Sequence, residues 1–114
     1  MATGKSNSIY SSYSFISGTG NTIGTSGQVP DSANFCSFAS GYGNTITKDC
    51  AFASGNGCQV SGSNSLAFGG GANVSSQSSL GGGTNTTVSG TASVGIGDSA
   101  NVSGNVSQGF GYGT

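Results

Sequence analysis

A chain of 114 residues has room for one domain. Its 23 glycines, 4% charged residues and net charge of −1 give no basic footprint for nucleic acid. No apolar run approaches the roughly 20 residues needed to cross a bilayer, which argues against membrane insertion. Gly, Ser, Thr and Asn in such amounts also describe a flexible linker. Against that, β-branched and aromatic residues recur at fixed places, and disordered chains tend to be charged rather than neutral.

The recurrence has a period of 14 residues. Residues 1–12 hold a partial repeat, Gly4-Lys-Ser-Asn-Ser-Ile9, and the next copy runs from Tyr13 to Ile23. Residues 24–35 are an insertion with the only proline, Pro30, and Pro-Asp-Ser there is turn chemistry, so a surface loop is expected. Five full repeats follow from Cys36 to Asn105, and a sixth begins at Val106. Gly4, Gly18, Gly41, Gly55, Gly69, Gly83, Gly97 and Gly111 mark the period, with one 23-residue step at the insertion. Ile9, Ile23, Ile46, Val60, Val74, Val88 and Val102 keep the same phase. One domain over residues 1–114 is expected: first coils in 1–23, a loop in 24–35, regular coils in 36–114.

Two short β-like segments per 14 residues, separated by glycine turns, describe one coil of an all-β solenoid. Strands alternate faces with period two. Placing the large residues inside predicts that Phe38, Phe52, Leu66, Leu80 and Val94 point inward, with Phe68, Ile96 and Phe110 two residues on. The second segment contributes the Ile/Val series. Glycine at the Gly41-type position fits a turn with positive φ or a close backbone approach. The outward positions are then two ladders. One is small and flat: Ser37, Ala51, Ser65, Ser79, Ser93 and Ser107, beside Ala39, Ala53, Ala67, Gly81, Gly95 and Gly109. The other is neutral and hydroxyl-rich: Thr45, Gln59, Asn73, Thr87 and Asn101, beside Thr47, Ser61, Ser75, Ser89 and Ser103. This second ladder is the candidate binding face. Rungs about 4.8 Å apart make seven coils a rod roughly 35 Å long. So thin a core favours self-association, with the flat ladder packed on another chain.

Cys36 and Cys50 are 14 residues apart and Cys58 follows eight after Cys50, so all three are expected inward and clustered. They read as small core residues or as one disulfide, since stacked Cα atoms about 4.8 Å apart lie within disulfide range. A metal site would lack a fourth ligand. No His or Glu stands near the abundant serines, so no nucleophile–base pair assembles and an enzyme is not expected. The Gly-rich runs lack the Lys-Ser/Thr of a phosphate loop, and Asp31, Asp49 and Asp98 fall at unrelated repeat positions, so neither cofactor nor calcium is expected. The sequons at Asn73, Asn85, Asn101 and Asn105 arise from a repeat built of Asn, Val and Ser. Residues 1–7 show no secretory signal, so the expected setting is a virion part or a segment of a longer exported protein.

Asn64-Ser-Leu-Ala-Phe-Gly69, Gly69-x-x-Ala72-x-Val74 and Ala92-Ser-Val-Gly-Ile-Gly97-Asp-Ser-Ala-Asn-Val-Ser-Gly104 resemble the head repeat of YadA-like trimeric autotransporter adhesins. Similar repeats occur in phage and giant-virus fibre proteins. The resemblance implies a left-handed parallel β-roll, three chains side by side, displayed on a cell or virion surface and binding a host surface protein or glycan. Asn44-Thr-Ile-Thr47, Asn21-Thr-Ile-Gly24 and Thr86-Thr-Val-Ser-Gly90 resemble the half-coil of ryegrass-type ice-binding β-rolls, which implies an ice-ordering ladder. The expected function is therefore a non-enzymatic adhesin or fibre module. An ice-binding protein and an architectural subunit of a filament or virion are the alternatives.

Overall fold

The computed structural model describes residues 1–11, 13–24 and 36–113. Among the described residues, fifteen strands alternate between two parallel sheets. The longer strands are β1 (Ala2–Lys5), β3 (Phe15–Thr19), β5 (Phe38–Tyr42), β7 (Phe52–Asn56), β9 (Leu66–Gly70), β11 (Leu80–Thr84), β13 (Val94–Asp98) and β15 (Gln108–Phe110), forming one eight-stranded sheet. The two-residue strands β2 (Ser8–Ile9), β4 (Thr22–Ile23), β6 (Thr45–Ile46), β8 (Gln59–Val60), β10 (Asn73–Val74), β12 (Thr87–Val88) and β14 (Asn101–Val102) form a seven-stranded sheet. The chain is thus a β-solenoid of about seven coils with two strands in each, as the period predicts. Its long dimension is 37 Å.

Register follows the 14-residue period throughout: Phe52 pairs with Leu66, Gly55 with Gly69 and Val60 with Val74. It also survives the insertion, since Phe15 pairs with Phe38 and Thr22 with Thr45. Residues 25–35, with Pro30, lie outside the described residues.

The Gly41-type column meets both conditions expected of it. Gly55 has φ 137°, and a Cβ there would lie 2.0 Å from the Gly69 carbonyl oxygen. Each glycine lets its coil settle onto the next, and no larger residue fits. A second left-handed position precedes each long strand after β1, at Tyr13, Cys36, Cys50, Asn64, Ser78, Ala92 and Val106, all with φ between 50° and 60°. This turn sets which way the following strand faces.

That facing corrects the sequence reading of the long strands. Ile23, Ile46, Val60, Val74 and Val88 fill the interior from the seven-stranded sheet, as predicted. Opposite them, however, stand Ala39, Ala53 and Ala67, fully buried, and the buried Gly81 and Gly95. Phe38, Phe52, Leu66, Leu80 and Val94 are only half-buried and face outward. Phe68, Ile96 and Phe110 share that outer face. The reason is the narrowness of the coil. A Cβ on Gly81 would lie 2.6 Å from Val74 Cγ2, and one on Gly95 would lie 2.8 Å from Val88 Cγ2. From Ala39 onward the Ile/Val side chains reach across to the opposite backbone and leave space for a methyl group at most. Only in β3 does a large residue, the fully buried Ile16, fill this column, in register with Ala39.

The Ser37-type ladder is likewise inside and not on the surface. Ser79 N–H donates to Ser65 Oγ at 3.0 Å, Ser93 N–H to Ser79 Oγ at 3.2 Å and Ser107 N–H to Ser93 Oγ at 3.0 Å. The same hydroxyls donate to carbonyls at the corner: Ser65 to Ser76, Ser79 to Gly90 and Ser93 to Gly104. At the other corner Asn7, Asn21 and Asn44 form an amide ladder. Asn44 Nδ2 donates to Asn21 Oδ1, Ser40 O and Gly55 O, all within 3.0 Å. Buried polar side chains are tolerable only when satisfied in this way. They tie consecutive coils together where the apolar core is thinnest.

Candidate functional site

Each sheet presents its own outer face, and the two differ in chemistry. On the seven-stranded sheet, each inward Ile or Val turns its neighbours outward. Thr45, Gln59, Asn73, Thr87 and Asn101 therefore stand in one column in register, and Thr47, Ser61, Ser75, Ser89 and Ser103 in a second beside it. Backbone bonds hold the second column in place: Thr47 N–H to Val60 O at 3.0 Å, Ser61 N–H to Val74 O at 2.9 Å and Ser75 N–H to Val88 O at 3.0 Å. All ten side chains predicted for the candidate binding face thus share one uncharged surface. None of them spends its side-chain hydrogen-bonding capacity on another described residue.

The eight-stranded sheet carries the opposite face, which sequence reasoning placed inside. Phe15, Phe38 and Phe52 stack along it, with ring centroids 5.3 and 5.0 Å apart and planes within 14° of parallel. Leu66, Leu80 and Val94 continue this column through the paired register. One residue pair further along each strand, Ser17, Ser40 and Ser54 stand beside the phenylalanines, and bulk returns at Phe68, Ile96 and Phe110. The Phe68 ring lies over Gly82, where a Cβ would be 2.2 Å from Phe68 Cζ. Phe68 and Phe110 remain 37% and 56% exposed, and Tyr42 at the strand's far end 62%. Six half-buried apolar side chains in a column, with three more beside it, make one contiguous apolar strip along the sheet. Contiguous rather than scattered apolar surface is what interaction sites present. The signal in the sequence was the unvarying smallness of residues 39, 53, 67, 81 and 95, which a wide core would not require.

The cysteines do not cluster as predicted. Cys36 and Cys50 are exposed, at the left-handed turn before the long strand, while Cys58 is buried beyond that strand at the opposite corner. All three are free thiols. Cys58 takes the place of the next asparagine in the amide ladder: its N–H donates to Asn44 Oδ1 at 2.9 Å, and Sγ lies 3.7 Å from Ser54 O and 3.3 Å from Gly69 O. Burial pushes this thiol above its ordinary pKa, against a smaller opposing pull from the Ala72 backbone.

No protein-family model and no curated protein matches the chain. The surfaces themselves therefore carry the functional argument. Among the described residues there is no pocket and no group of three His, Cys, Asp or Glu side chains. Charge is equally sparse on them: Lys5, Lys48, Asp49 and Asp98, the last accepting a hydrogen bond from Ser99 Oγ at 2.9 Å. Among the described residues, what the molecule offers a partner is two outer faces of opposite polarity with little charge on either.

Proposed function

We propose that the chain is a non-enzymatic fibre or adhesin module whose copies pack side by side on the apolar face of the eight-stranded sheet, three to an assembly. The observation that carries this reading is the outward column from Phe15 to Val94. Left in water, such a strip is unfavourable at about 25 cal/mol for each Å² that could be buried. Its natural occupant is a second copy, because every copy offers the same rungs at the same pitch. Parallel copies about a common axis bring like rungs to equal heights, and neither face carries a run of charge to oppose it. The number three rests on the resemblance of the repeat to trimeric adhesin heads. The polar columns from Thr45 to Ser103 then lie on the outside of the bundle. There they are free to meet a host surface protein or glycan, in a cell-surface or virion setting.

Light scattering on the eluting peak of a size-exclusion column tests this reading. A mass of three chains that persists on dilution to micromolar concentration supports it. A well-folded monomer across that range removes it.

A second reading is favoured by one observation, that none of the ten polar side chains of the other face hydrogen-bonds to another described residue. A rigid, neutral array of hydroxyls and amides repeating every rung, about 4.8 Å apart, is suited to ordering water, and hence to binding ice. Thermal hysteresis by folded protein would support it, and its absence together with unimpeded ice recrystallisation would exclude it.

A further inference from the structure

Cys36 and Cys50 occupy the same turn position on consecutive coils. The coils are in direct contact there: Phe38 N–H donates to Ala51 O at 3.0 Å, and Ala51 N–H to Ser37 Oγ at 3.3 Å. Phe38 pairs with Phe52, and Cys36 and Cys50 each stand two residues before them in the same left-handed turn, so they hold equivalent positions on adjacent coils. Both residues are in the left-handed conformation, at φ 60° and 50°, so their Cα–Cβ bonds leave the turn in nearly the same direction. Both are exposed, and both are free. A rung spacing of about 4.8 Å falls within the roughly 4.4 to 6.8 Å that a disulfide spans between Cα atoms. No other pair of the three thiols meets these conditions, since Cys58 is buried at the opposite corner.

We propose that Cys36 and Cys50 form a reversible dithiol site on the surface of the solenoid, closed by exchange with a low-molecular-weight disulfide. One of the two thiolates attacks a sulfur of the small disulfide, forming a mixed disulfide and expelling one thiolate. The other protein thiolate then attacks the protein sulfur of that bond and expels the second. The protein loses two electrons and two protons, and the small disulfide leaves as two thiols. The product is a covalent tie between the first two coils after residues 25–35. Solenoids open coil by coil because each repeat contacts only its neighbours. A bond between adjacent rungs therefore prevents separation at that point, and reduction restores it.

The test is incubation of the reduced, folded protein with oxidised glutathione, followed by intact mass and peptide mapping. The expected product is a chain lighter by two hydrogens, with no glutathione attached, a Cys36–Cys50 linkage, and Cys58 alkylated only after unfolding. Dithiothreitol should reverse the change. In Cys50→Ser, glutathione should stay on Cys36; the substitution is compatible with the fold because the repeat already places Ser78 at this position, at φ 56°. Glutathione retained on both cysteines of the parent chain, a chain-to-chain linkage, a linkage to Cys58, or two unreacted thiols would each overturn the proposal. None of these outcomes depends on the assembly proposed above.

Discussion

The two sheets share one period and divide their residues in opposite senses. In the seven-stranded sheet, bulk points in and polarity points out: Ile46 and Val60 are buried, Thr45 and Gln59 face water. In the eight-stranded sheet from β5 onward, the smallest residues point in and the bulk points out: Ala39 and Ala53 are buried, Phe38 and Phe52 are not. Only the earlier β3 puts a large residue, Ile16, in the inward column. Neither choice stands alone. Close packing admits no void and no overlap across so thin a coil, so the reach of Val74 dictates the absence of a side chain at Gly81. The sheet that supplies the volume of the core keeps a polar exterior. The sheet that yields that volume is left with an apolar one, and there the molecule has something to cover.

The largest expected effect lies where the sheets are stitched coil to coil. Gly55→Ala places a methyl group 2.0 Å from a backbone oxygen of the next rung, at a φ of 137° that L residues rarely adopt. Backbone cannot yield there without displacing the whole stack. The expected loss is about 4 kcal/mol or more, the range of substitutions with a named steric cause. It is read as a collapsed urea midpoint or failure to recover folded protein. A variant within 1 kcal/mol of the parent would mean, on the scale of ordinary surface changes, that the close approach of coils is not a constraint.

Next comes a pair of substitutions that sets one sheet against the other. Ile46→Ala empties the core side and should cost about 2 to 5 kcal/mol of stability, by chemical denaturation. Phe52→Ser removes a larger side chain, yet its ring is half-buried on the outer face and stacked on Phe38. Within one chain it should cost only about 1 kcal/mol, the scale of a lost aromatic pair. Its main effect should be on assembly, moving the light-scattering mass toward one chain. Equal losses of stability with an unchanged mass would break the distinction between the faces.

This contrast also shows why the sequence was legible in some places and opaque in others. Period, register, the Ile/Val core, the glycine column and the ten-residue polar face all follow from residues that repeat in one phase. The facing of the long strands does not. Alternation offers two assignments related by a one-residue shift, and each inverts the other. Preferring large apolar residues inside selects the wrong one, because the deciding quantity is the distance between the sheets. That distance is set by Ile46 and Val60 on a different strand. The cysteines failed for a related reason. Counting Cys36 in phase with Phe38 assumes extended backbone between them, and the left-handed turn at Cys36 breaks the alternation.

The smallest effect concerns the seam between the two sheets, at Cys58. Asn21 and Asn44 fill this position in the preceding coils. Each accepts from the next rung's N–H and donates to two carbonyls: Asn21 to Ser17 O at 3.1 Å and Gly41 O at 2.8 Å, Asn44 to Ser40 O and Gly55 O. Cys58 can only approximate this with its sulfur near Ser54 O and Gly69 O. Cys58→Asn extends the ladder by one rung and should stabilise by about 1 kcal/mol, the net value of a hydrogen bond well made. It also removes a pH dependence. Burial raises the folded thiol above its ordinary pKa. Below that ordinary value both folded and unfolded chains keep the proton and stability is flat. As pH rises from the ordinary value toward the raised one, the unfolded chain loses its proton first and stability falls. The parent should therefore weaken on the alkaline side more steeply than Cys58→Asn, in urea titrations at neutral and alkaline pH. Parallel slopes in the two proteins would place the alkaline sensitivity elsewhere. A less stable variant at neutral pH would show that the amide ladder ends at Asn44 for want of room rather than want of an amide.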